Sequence, residues 1–384
     1  MNCRAVHTGI CAVFSLTVPG SAGAVEWQNI TNELLRNVPG YRDGQQWWNK
    51  RLGKVHADSV TGDVYVSLCE GWGTYRSSDQ GQTWALVDNK VALGRHVGDL
   101  GVFPNPATGD FILFKVNGGR NANGSAVVLE RGRKLLPIRN IGDGWNSAMA
   151  DWSQTPPRTL LARQHHSKPK ATWLSTDGGR SWEKIAEGYQ YAAMLDANTV
   201  FLASPYYLLD GKKLSWDQVR MLKGPARRKA RKLADIMLTR DQGKTMTKVA
   251  EFAPAGVVAA RWGEDLFWLC SEGVMVTRDR GKTWELMGKP VKEPILGPYF
   301  GRNKETMVVV SKAGWFKTVD AGKIWAKLAE FWYPDEEGAQ QHTGNLRASW
   351  DPVGNVLYIG LLGKDAYRRR LSAGGRDSAG ARRQ

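Results

Sequence analysis

Two carboxylates are the side chains with the clearest potential for catalysis. Asp99 and Asp151 each lie in or beside a short run of residues that is predicted to form a β-strand. A carboxylate in such a strand needs a partner or a function, because an unpaired buried charge is costly. Two carboxylates on either side of a sugar can act as the acid and the base or nucleophile of glycoside hydrolysis. The alternative is that both pair with arginines such as Arg95 and Arg261 and only hold the fold together.

Other polar and aromatic side chains in the same predicted strands and loops are candidates for ligand binding. The chain contains 17 tryptophans, which is far above ordinary usage. Aromatic faces can stack on sugar rings, but packing between sheets also consumes tryptophan, so both uses remain open. The candidate ligand-binding residues are His56, Trp72, Trp152, Arg261, Trp262 and Arg347.

No other chemistry has a matching motif. The sequence contains no G-x-S-x-G elbow and no phosphate-binding loop. His165 and His166 are adjacent, but no Cys/His spacing is typical of zinc. We therefore expect neither a metal nor a cofactor.

A short motif recurs five times and predicts the elements that would position these residues. It reads Ser/Thr-x-Asp-x-Gly-x-Thr/Ser, usually followed by Trp, although Met246 and Ile324 each replace one motif residue. Each copy lies between two short apolar or alternating runs, which is typical of a β-hairpin. Its aspartate can accept hydrogen bonds in the turn, and its glycine can adopt positive φ. The copies start at Ser77, Ser175, Thr239, Thr277 and Thr318.

This motif resembles the Asp-box, or BNR, repeat of sialidase-like β-propellers. The resemblance implies an all-β propeller in which each box stabilises a turn at the periphery, away from the ligand-binding face. It also implies structural rather than catalytic roles for the box aspartates Asp79, Asp177, Asp241, Asp279 and Asp320.

The resemblance covers enzymes and binding proteins alike. Sialidases carry an Arg-Ile-Pro-type motif before the first box. The corresponding residues 49–53 of this chain read N-K-R-L-G and do not contain that motif. Seven-bladed relatives include xyloglucanase-type glycosidases, which use two aspartates. They also include non-enzymatic propellers that bind proteins, such as sortilin-type receptor domains and photosystem II assembly factors.

The spacing of the boxes indicates the number of blades. Successive box aspartates are 98, 64, 38 and 41 residues apart, whereas one four-stranded blade takes about 40 to 50 residues. The first interval therefore hides a blade with a degenerate box, and the second holds one blade with an insertion. A seventh unit begins near Leu346 with three strands, and residues 25–31 could supply its fourth. We predict a seven-bladed β-propeller closed by the N-terminal strand; the alternative is six blades plus a C-terminal hairpin.

The N-terminal residues predict export. Residues 1–24 read as a secretory signal, with Arg4, an apolar run over residues 10–18 and a small-residue cleavage site at residues 22–24. We expect a secreted or periplasmic protein with a propeller over residues 25–371 and a basic, disordered tail over 372–384. Cys69 and Cys270 fall in blades that are not neighbours, so we expect no disulfide between them.

The positive charge is concentrated in two segments. The chain carries a net charge of +16. The insertion at residues 205–232 holds nine Lys/Arg and two Asp, and residues 364–384 at the C-terminus hold seven Lys/Arg and two Asp. Such runs can bind nucleic acid, acidic lipid or anionic polymers. Residues 227–232 contain no interleaved aromatic residue, and export argues against nucleic acid. A solvated segment, with a short helix over residues 225–234, is the default interpretation, and attachment to an anionic surface is the alternative.

Together these observations predict an exported, carbohydrate-directed propeller, monomeric, that binds or hydrolyses glycans. If it is an enzyme, Asp99 and Asp151 would carry the hydrolysis. The alternative is a non-catalytic protein-binding scaffold or assembly factor, with the basic insertion and the tail as contact elements. Carboxylates about 5 to 10 Å apart across an open mouth would favour hydrolysis, whereas buried, ion-paired carboxylates would favour the scaffold.

Overall fold

The computed structural model describes residues 26–36, 38, 52–68, 73–88, 102–104, 111–113, 126–129, 135–138, 145–154, 157–164, 169–256, 259–334 and 346–371. Nearly all of the regular structure in these residues is antiparallel β-structure in seven separate sheets. This confirms the all-β class that the repeats predict. The predicted signal and tail, together with Cys69, lie outside the described residues.

The elements follow one another along the chain almost without crossover. A short strand β1 (Gln28–Asn29) and helix α1 (Thr31–Arg36) come first. Sheet 1 contains β2 (Leu52–Ala57), β3 (Val64–Leu68), β4 (Thr74–Ser77) and β5 (Ala85–Asp88). Sheet 2 contains β6 (Val102–Pro104), β7 (Phe111–Leu113), β8 (Ala126–Leu129) and β9 (Leu135–Ile138). Sheet 3 contains β10 (Trp145–Ala150), β11 (Leu160–Gln164), β12 (Ala171–Ser175) and β13 (Glu183–Glu187).

Sheet 4 is the one interrupted by the insertion. It contains β14 (Tyr191–Asp196), β15 (Thr199–Leu209), β16 (Lys212–Leu214), β17 (Arg231–Thr239) and β18 (Thr247–Glu251). Helices α2 (Trp216–Met221) and α3 (Gly224–Lys229) lie between β16 and β17. The helix predicted over residues 225–234 is wrong beyond residue 229, because residues 231–235 pair with β15 as part of β17.

The last three sheets complete the series. Sheet 5 contains β19 (Ala260–Trp262), β20 (Asp265–Cys270), β21 (Gly273–Thr277) and β22 (Glu285–Leu286). Sheet 6 contains β23 (Pro294–Phe300), β24 (Met307–Ser311), β25 (Gly314–Thr318) and β26 (Ala326–Ala329). Sheet 7 contains β27 (Leu346–Asp351), β28 (Val356–Leu361) and β29 (Ala366–Arg370), with β1 as its fourth strand.

Sheet 7 joins the two ends of the described chain. β1 pairs antiparallel with β29, with Gln28 opposite Arg368. The Ile30 amide donates a hydrogen bond to the Ala366 carbonyl at 2.9 Å, and the Ala366 amide donates to Thr31 Oγ1 at 2.7 Å. The N-terminal segment therefore pairs with the C-terminal strand that the sequence predicts as its partner.

The core lies between neighbouring sheets. The second strands, among them β3, β20, β24 and β28, are buried along their whole length. Such strands have both faces covered, because a further sheet packs on each side about 10 Å away. The buried thiol of Cys270 lies in one of them and forms no disulfide within the described part of the chain. No helix in that part is long and apolar enough to cross a bilayer.

Each box forms the turn between the third and fourth strands of its sheet. In the fourth box, Asp279 accepts hydrogen bonds from Thr277 Oγ1 at 3.0 Å, from the Thr283 amide at 2.9 Å and from Thr283 Oγ1 at 2.6 Å. Thr277 Oγ1 in turn accepts from the Gly281 amide at 2.7 Å. In the other four boxes the hydroxyl at the first motif position also donates to the box aspartate. In the box of Asp320, Ile324 replaces the later Thr/Ser, so only its amide donates to the aspartate.

These hydrogen bonds stabilise the ionised aspartates. Donation from the Thr283 hydroxyl and amide lowers the pKa of Asp279 from 3.8 to about 2, and donation from Thr245 does the same for Asp241. For Asp79 and Asp177, burial opposes the shift, but the hydrogen bonds prevail and the pKa of each falls to about 2. A carboxylate that accepts several hydrogen bonds is more stable charged than protonated.

Acid should therefore destabilise the protein through its boxes. A lowered pKa in the folded state adds stability that is complete above about pH 4 and is lost as the pH falls to about 2. In Asp279→Asn this term is absent, so the free energy of unfolding should fall less steeply between pH 4 and pH 2 than in wild type. Urea unfolding at stepped pH measures the slope, with Glu183→Gln, an exposed acid, as the control. An unchanged slope in Asp279→Asn would contradict the expectation.

The box glycines close the contact between neighbouring sheets. Gly243 of sheet 4 has φ +94°, and a Cβ there would lie 1.9 Å from the Ile185 carbonyl oxygen of sheet 3. A Cβ on Gly81 of sheet 1, at φ +91°, would lie 3.0 Å from Ile30, next to β1 of sheet 7. Gly281 and Gly322 likewise touch the sheet that precedes theirs. The box glycine of sheet 1 thus contacts sheet 7 in the same way that the box glycines of sheets 4, 5 and 6 contact the sheet before them.

Candidate functional site

The first strands of neighbouring sheets lie beside one another, so their side chains form the candidate site. Contacts join β2 to β27, β27 to β23, β6 to β10 and β10 to β14. Because the strands alternate in direction, the turn after each first strand lies at the same end of the sheet as the box. We call this end of the sheets the box end.

Asp151 lies at the box end, directly after β10. Its Oδ1 atom accepts hydrogen bonds from Arg261 Nη1 at 2.8 Å and from the Ser153 amide at 3.0 Å. The Asp151 and Arg261 side chains retain only 11% and 12% of their exposure. This is the ion pair that the structural alternative for Asp151 requires. Asp99, its predicted partner in hydrolysis, lies outside the described residues.

Arg261 connects three successive sheets. From β19 it donates to Asp151 after β10, to the Leu195 carbonyl in β14 and to the Gly263 carbonyl at 2.6 Å. It also pairs with Glu264 at 3.2 Å. Glu264 in turn pairs with Arg280 at 2.7 Å, and Arg280 contacts Asp196. A continuous network of charges therefore ties sheets 3, 4 and 5 together at the box end.

A polar cavity of about 330 Å³ opens beside this network. Its lining offers a carboxylate, an amide, a guanidinium and several hydroxyls, which suits a ligand rich in hydroxyl groups. The lining residues are Asp151, Ser153, Gln154, Arg158, Thr159 and Thr176.

Two of the candidate tryptophans lie within the described residues. Trp262 packs edge-on against Phe300, with ring centroids 5.3 Å apart. Trp152 packs against the hydrophobic core shared by sheets 3 and 4. Trp72 lies outside the described residues. Trp152 and Trp262 therefore contribute mainly to packing between sheets.

His56 and Arg347 belong to a second group near the contact of β2 with β27. Arg347 is 5% exposed, and its Nε donates to the Gly53 carbonyl at 3.1 Å. The Ala57 amide donates to Ser349 Oγ at 2.8 Å. Side chains of β27 thus bind the backbone of β2 and fix the register between sheets 7 and 1. Asp151 and Arg261, on other sheets, form a separate group.

Lys54 completes this second group, and it is not among the residues predicted from the sequence. Lys54 is partly buried and forms no ion pair within the described part of the chain. Burial and the charge of Arg347 lower the pKa of Lys54 to about 7. Burial and the charge of Lys54 lower the pKa of His56 to about 3. The available signal was the spacing of Lys54 and His56, two residues apart and so on one face of β2.

The group is therefore electropositive at neutral pH and below. Arg347 is charged, Lys54 is partly protonated, and His56 is neutral. Such a set can bind an anion with charge-assisted hydrogen bonds. Among the residues that the structure describes, no cluster of His, Cys, Asp or Glu could hold a metal ion.

Comparison with known proteins identifies no family by sequence. No family model and no curated protein matches the chain. Among solved structures, it is similar to an ancestral GH74 enzyme, with a TM-score of 0.47 and 14% identity over 85% of this chain and 48% of that one. It is also similar to a GH74 enzyme from Niastella koreensis, with a TM-score of 0.28 and 10% identity over 83% of this chain and 75% of that one. The chain thus spans about half the length of the ancestral enzyme.

Proposed function

We propose that this protein is an exported, carbohydrate-directed β-propeller that binds an acidic glycan through Lys54 and Arg347. The observation that carries the proposal is the enclosed pair of cations on neighbouring first strands. A carboxylate or sulfate group of a glycan would offset the cost of burying the charge of Lys54, and Arg347 on the neighbouring strand adds to the positive potential.

The proposed architecture is a ring of seven blades, one for each sheet. Two features support closure of the ring through sheet 7: the pairing of β1 with β29 and the packing of Gly81 on Ile30. An experimental structure in which β1 leaves β29, or in which the sheets form two separate stacks, would contradict it.

Binding without hydrolysis is the better interpretation of Asp151. Its Oδ1 oxygen is occupied by Arg261 and the Ser153 amide. A carboxylate acting on a glycosidic bond would have only its second oxygen, Oδ2, left for the reaction, whereas the ion pair itself ties three sheets together. Asp151 therefore holds sheets 3, 4 and 5 together in the proposed function.

A protein-binding scaffold is the second candidate, and the charge network around Arg261 favours it. A network that crosses three sheets rigidifies the box end, which suits a surface that binds a folded partner. In that case glycans of every class would fail to bind, whereas pull-down of a partner would be lost in Arg280→Gln, which breaks the network at the box end.

A glycan array run at several pH values tests the proposal. Binding of uronate- or sulfate-bearing glycans should weaken about tenfold from pH 6 to pH 8, as Lys54 loses its proton at a pKa of about 7. Neutral glycans should bind weakly at each pH. Lys54→Arg should keep the binding at pH 8, because arginine stays charged, whereas Lys54→Gln should lose it at both pH values.

Two controls make the result decisive. Lys282→Gln removes one exposed charge far from the group and should leave the affinity unchanged. A panel of chromogenic glycosides, run on wild type and Asp151→Asn, should show no turnover in either. A preference for neutral glycans, or glycan binding that is unchanged in Lys54→Gln, would contradict the acidic-glycan proposal. Turnover of a glycoside by wild type that is lost in Asp151→Asn would instead support hydrolysis.

A further inference from the structure

The insertion in sheet 4 is a folded arm rather than a loose segment. We call residues 205–232 the basic arm. β14 pairs with β15 only as far as Ala203, and β18 pairs with β17 only as far as Asp235. Beyond these points β15 and β17 continue to pair with each other as far as Leu208 and Arg231. At about 3.3 Å per residue, this ribbon extends roughly 15 Å past the sheet.

The arm projects from the end opposite the boxes. β15 starts at the box end, where it follows the turn from β14, and therefore runs toward the other end. The last described strand, β29, runs toward the box end, and its Arg368 contacts the backbone of Asp79 in the first box. The arm and the last described residues are therefore on opposite ends of the molecule.

The tip of the arm is held in a defined conformation. Ser215 and Gln218 form a capping box at the start of α2, with hydrogen bonds of 3.2 and 2.7 Å. Val219 of α2 is 2% exposed, which anchors the helix to the ribbon. The Trp216 ring packs beside Tyr207 with centroids 5.7 Å apart. A tip with these contacts can present its outer side chains in a fixed arrangement.

The outer surface of the arm is strongly cationic. Its nine Lys/Arg outnumber its two Asp, for a net charge of +7. One of the acids, Asp217, is paired with Arg220 at 3.4 Å. Five cations are exposed and form no ion pair among the described residues: Lys212, Lys223, Arg227, Arg228 and Lys229. Of these, Arg227 lies over the Trp216 ring, 5.7 Å from its centroid.

The arm also exposes two large apolar side chains. Met221 is 76% exposed and Trp216 is 50% exposed. Met221 follows the buried Val219 by two residues, which places it about 200° around the helix, on the outer side of α2. Single apolar residues on a surface are common, but here the two occur together within the most basic segment of the chain.

We infer that the basic arm docks on an anionic lipid surface. Lysine and arginine near such a surface each contribute about 1 kcal/mol of attraction, and tryptophan is enriched at membrane interfaces. An unbranched apolar side chain such as Met221 can enter the boundary between headgroups and acyl chains. An anionic polysaccharide would use the cations and the Trp216 ring, but it gives Met221 no partner. The lipid surface accounts for all three features.

Sedimentation with vesicles tests this inference on the full chain. Vesicles of phosphatidylcholine with about 30% phosphatidylglycerol should bind the protein, and vesicles of phosphatidylcholine alone should not. The variant Lys212→Gln/Lys223→Gln/Arg228→Gln/Lys229→Gln should lose about a thousandfold in affinity, because four charges at roughly 1 kcal/mol each correspond to about three powers of ten. Met221→Gln should weaken binding about threefold or more and should leave its salt dependence unchanged, because it removes apolar insertion and no charge.

A matched control separates the arm from net charge. The variant Lys282→Gln/Lys289→Gln/Lys292→Gln/Lys323→Gln removes the same charge from exposed positions on sheets 5 and 6. It should keep the affinity of wild type within about twofold. Thermal melting checks that both variants fold. Equal losses in both variants, or binding to heparin or polygalacturonate in place of vesicles, would overturn the inference, and so would absence of vesicle binding.

Discussion

Gly243→Ala is expected to lower the free energy of unfolding by about 2–5 kcal/mol. Two effects add at this position. An L-residue held at positive φ costs about 1–2 kcal/mol, and the glycine has φ +94°. The new Cβ would also lie 1.9 Å from the Ile185 carbonyl oxygen, and forcing atoms into a packed contact typically costs a further 1–3 kcal/mol. Because a backbone atom blocks the methyl group, sheets 3 and 4 must separate locally.

Gly188→Ala is the matched control for this substitution. Gly188 also has positive φ, at +82°, but no atom lies within 4 Å of the position that its Cβ would occupy. This variant should therefore lose only the conformational part, about 1–2 kcal/mol. Urea unfolding of both variants measures the difference. Equal destabilisation would mean that the box glycine does not determine the spacing between the sheets.

Arg261→Met is expected to cost about 3–5 kcal/mol, the usual effect of removing one partner from a buried ion pair. It leaves the carboxylate of Asp151 and the carbonyls of Leu195 and Gly263 without their donor. Asp151→Asn should cost less, about 1–3 kcal/mol, because the amide can still accept from Arg261. The side chains keep about a tenth of their exposure, so solvent relieves only a small part of either cost.

A double-mutant cycle on this pair measures the coupling directly. We expect a coupling energy above about 1 kcal/mol, because residues in one network are not additive. The exposed pair of Lys327 and Glu330, at 40% and 76% exposure, provides the control, with a coupling below about 0.5 kcal/mol. A coupling as small as the control would contradict the structural role of Asp151. It would leave that carboxylate available for chemistry.

The predictions that succeeded rest on short-range geometry. The box of Asp279 involves residues no more than four positions away, so its hydrogen bonds can be anticipated from the motif itself. The alternation of short apolar runs likewise predicts the strands and their turns. Even the partner of residues 25–31 could be inferred, because three C-terminal strands required a fourth.

The predictions that failed or missed a residue depend on contacts between distant segments. The helix expected over residues 225–234 ended early because β17 pairs with β15, which lies on the other side of the insertion. Trp152 and Trp262 each lie against an apolar neighbour in the fold, and their stacking on sugar rings stays a prediction. Lys54 was not predicted as a site residue, because the sequence around it does not indicate that Arg347 lies nearby in the fold.

The repeated motif by itself determined the all-β class and the turn conformations, because those contacts close within a few residues of the chain. The tertiary structure alone decided which charges meet. Asp151 and Arg261 are 110 residues apart in sequence, and Arg347 is 294 residues from the carbonyl of Gly53 that it binds. Such partners meet only because one sheet stacks on the next. The way the sheets stack depends on side-chain packing throughout the core, which a short sequence pattern does not predict.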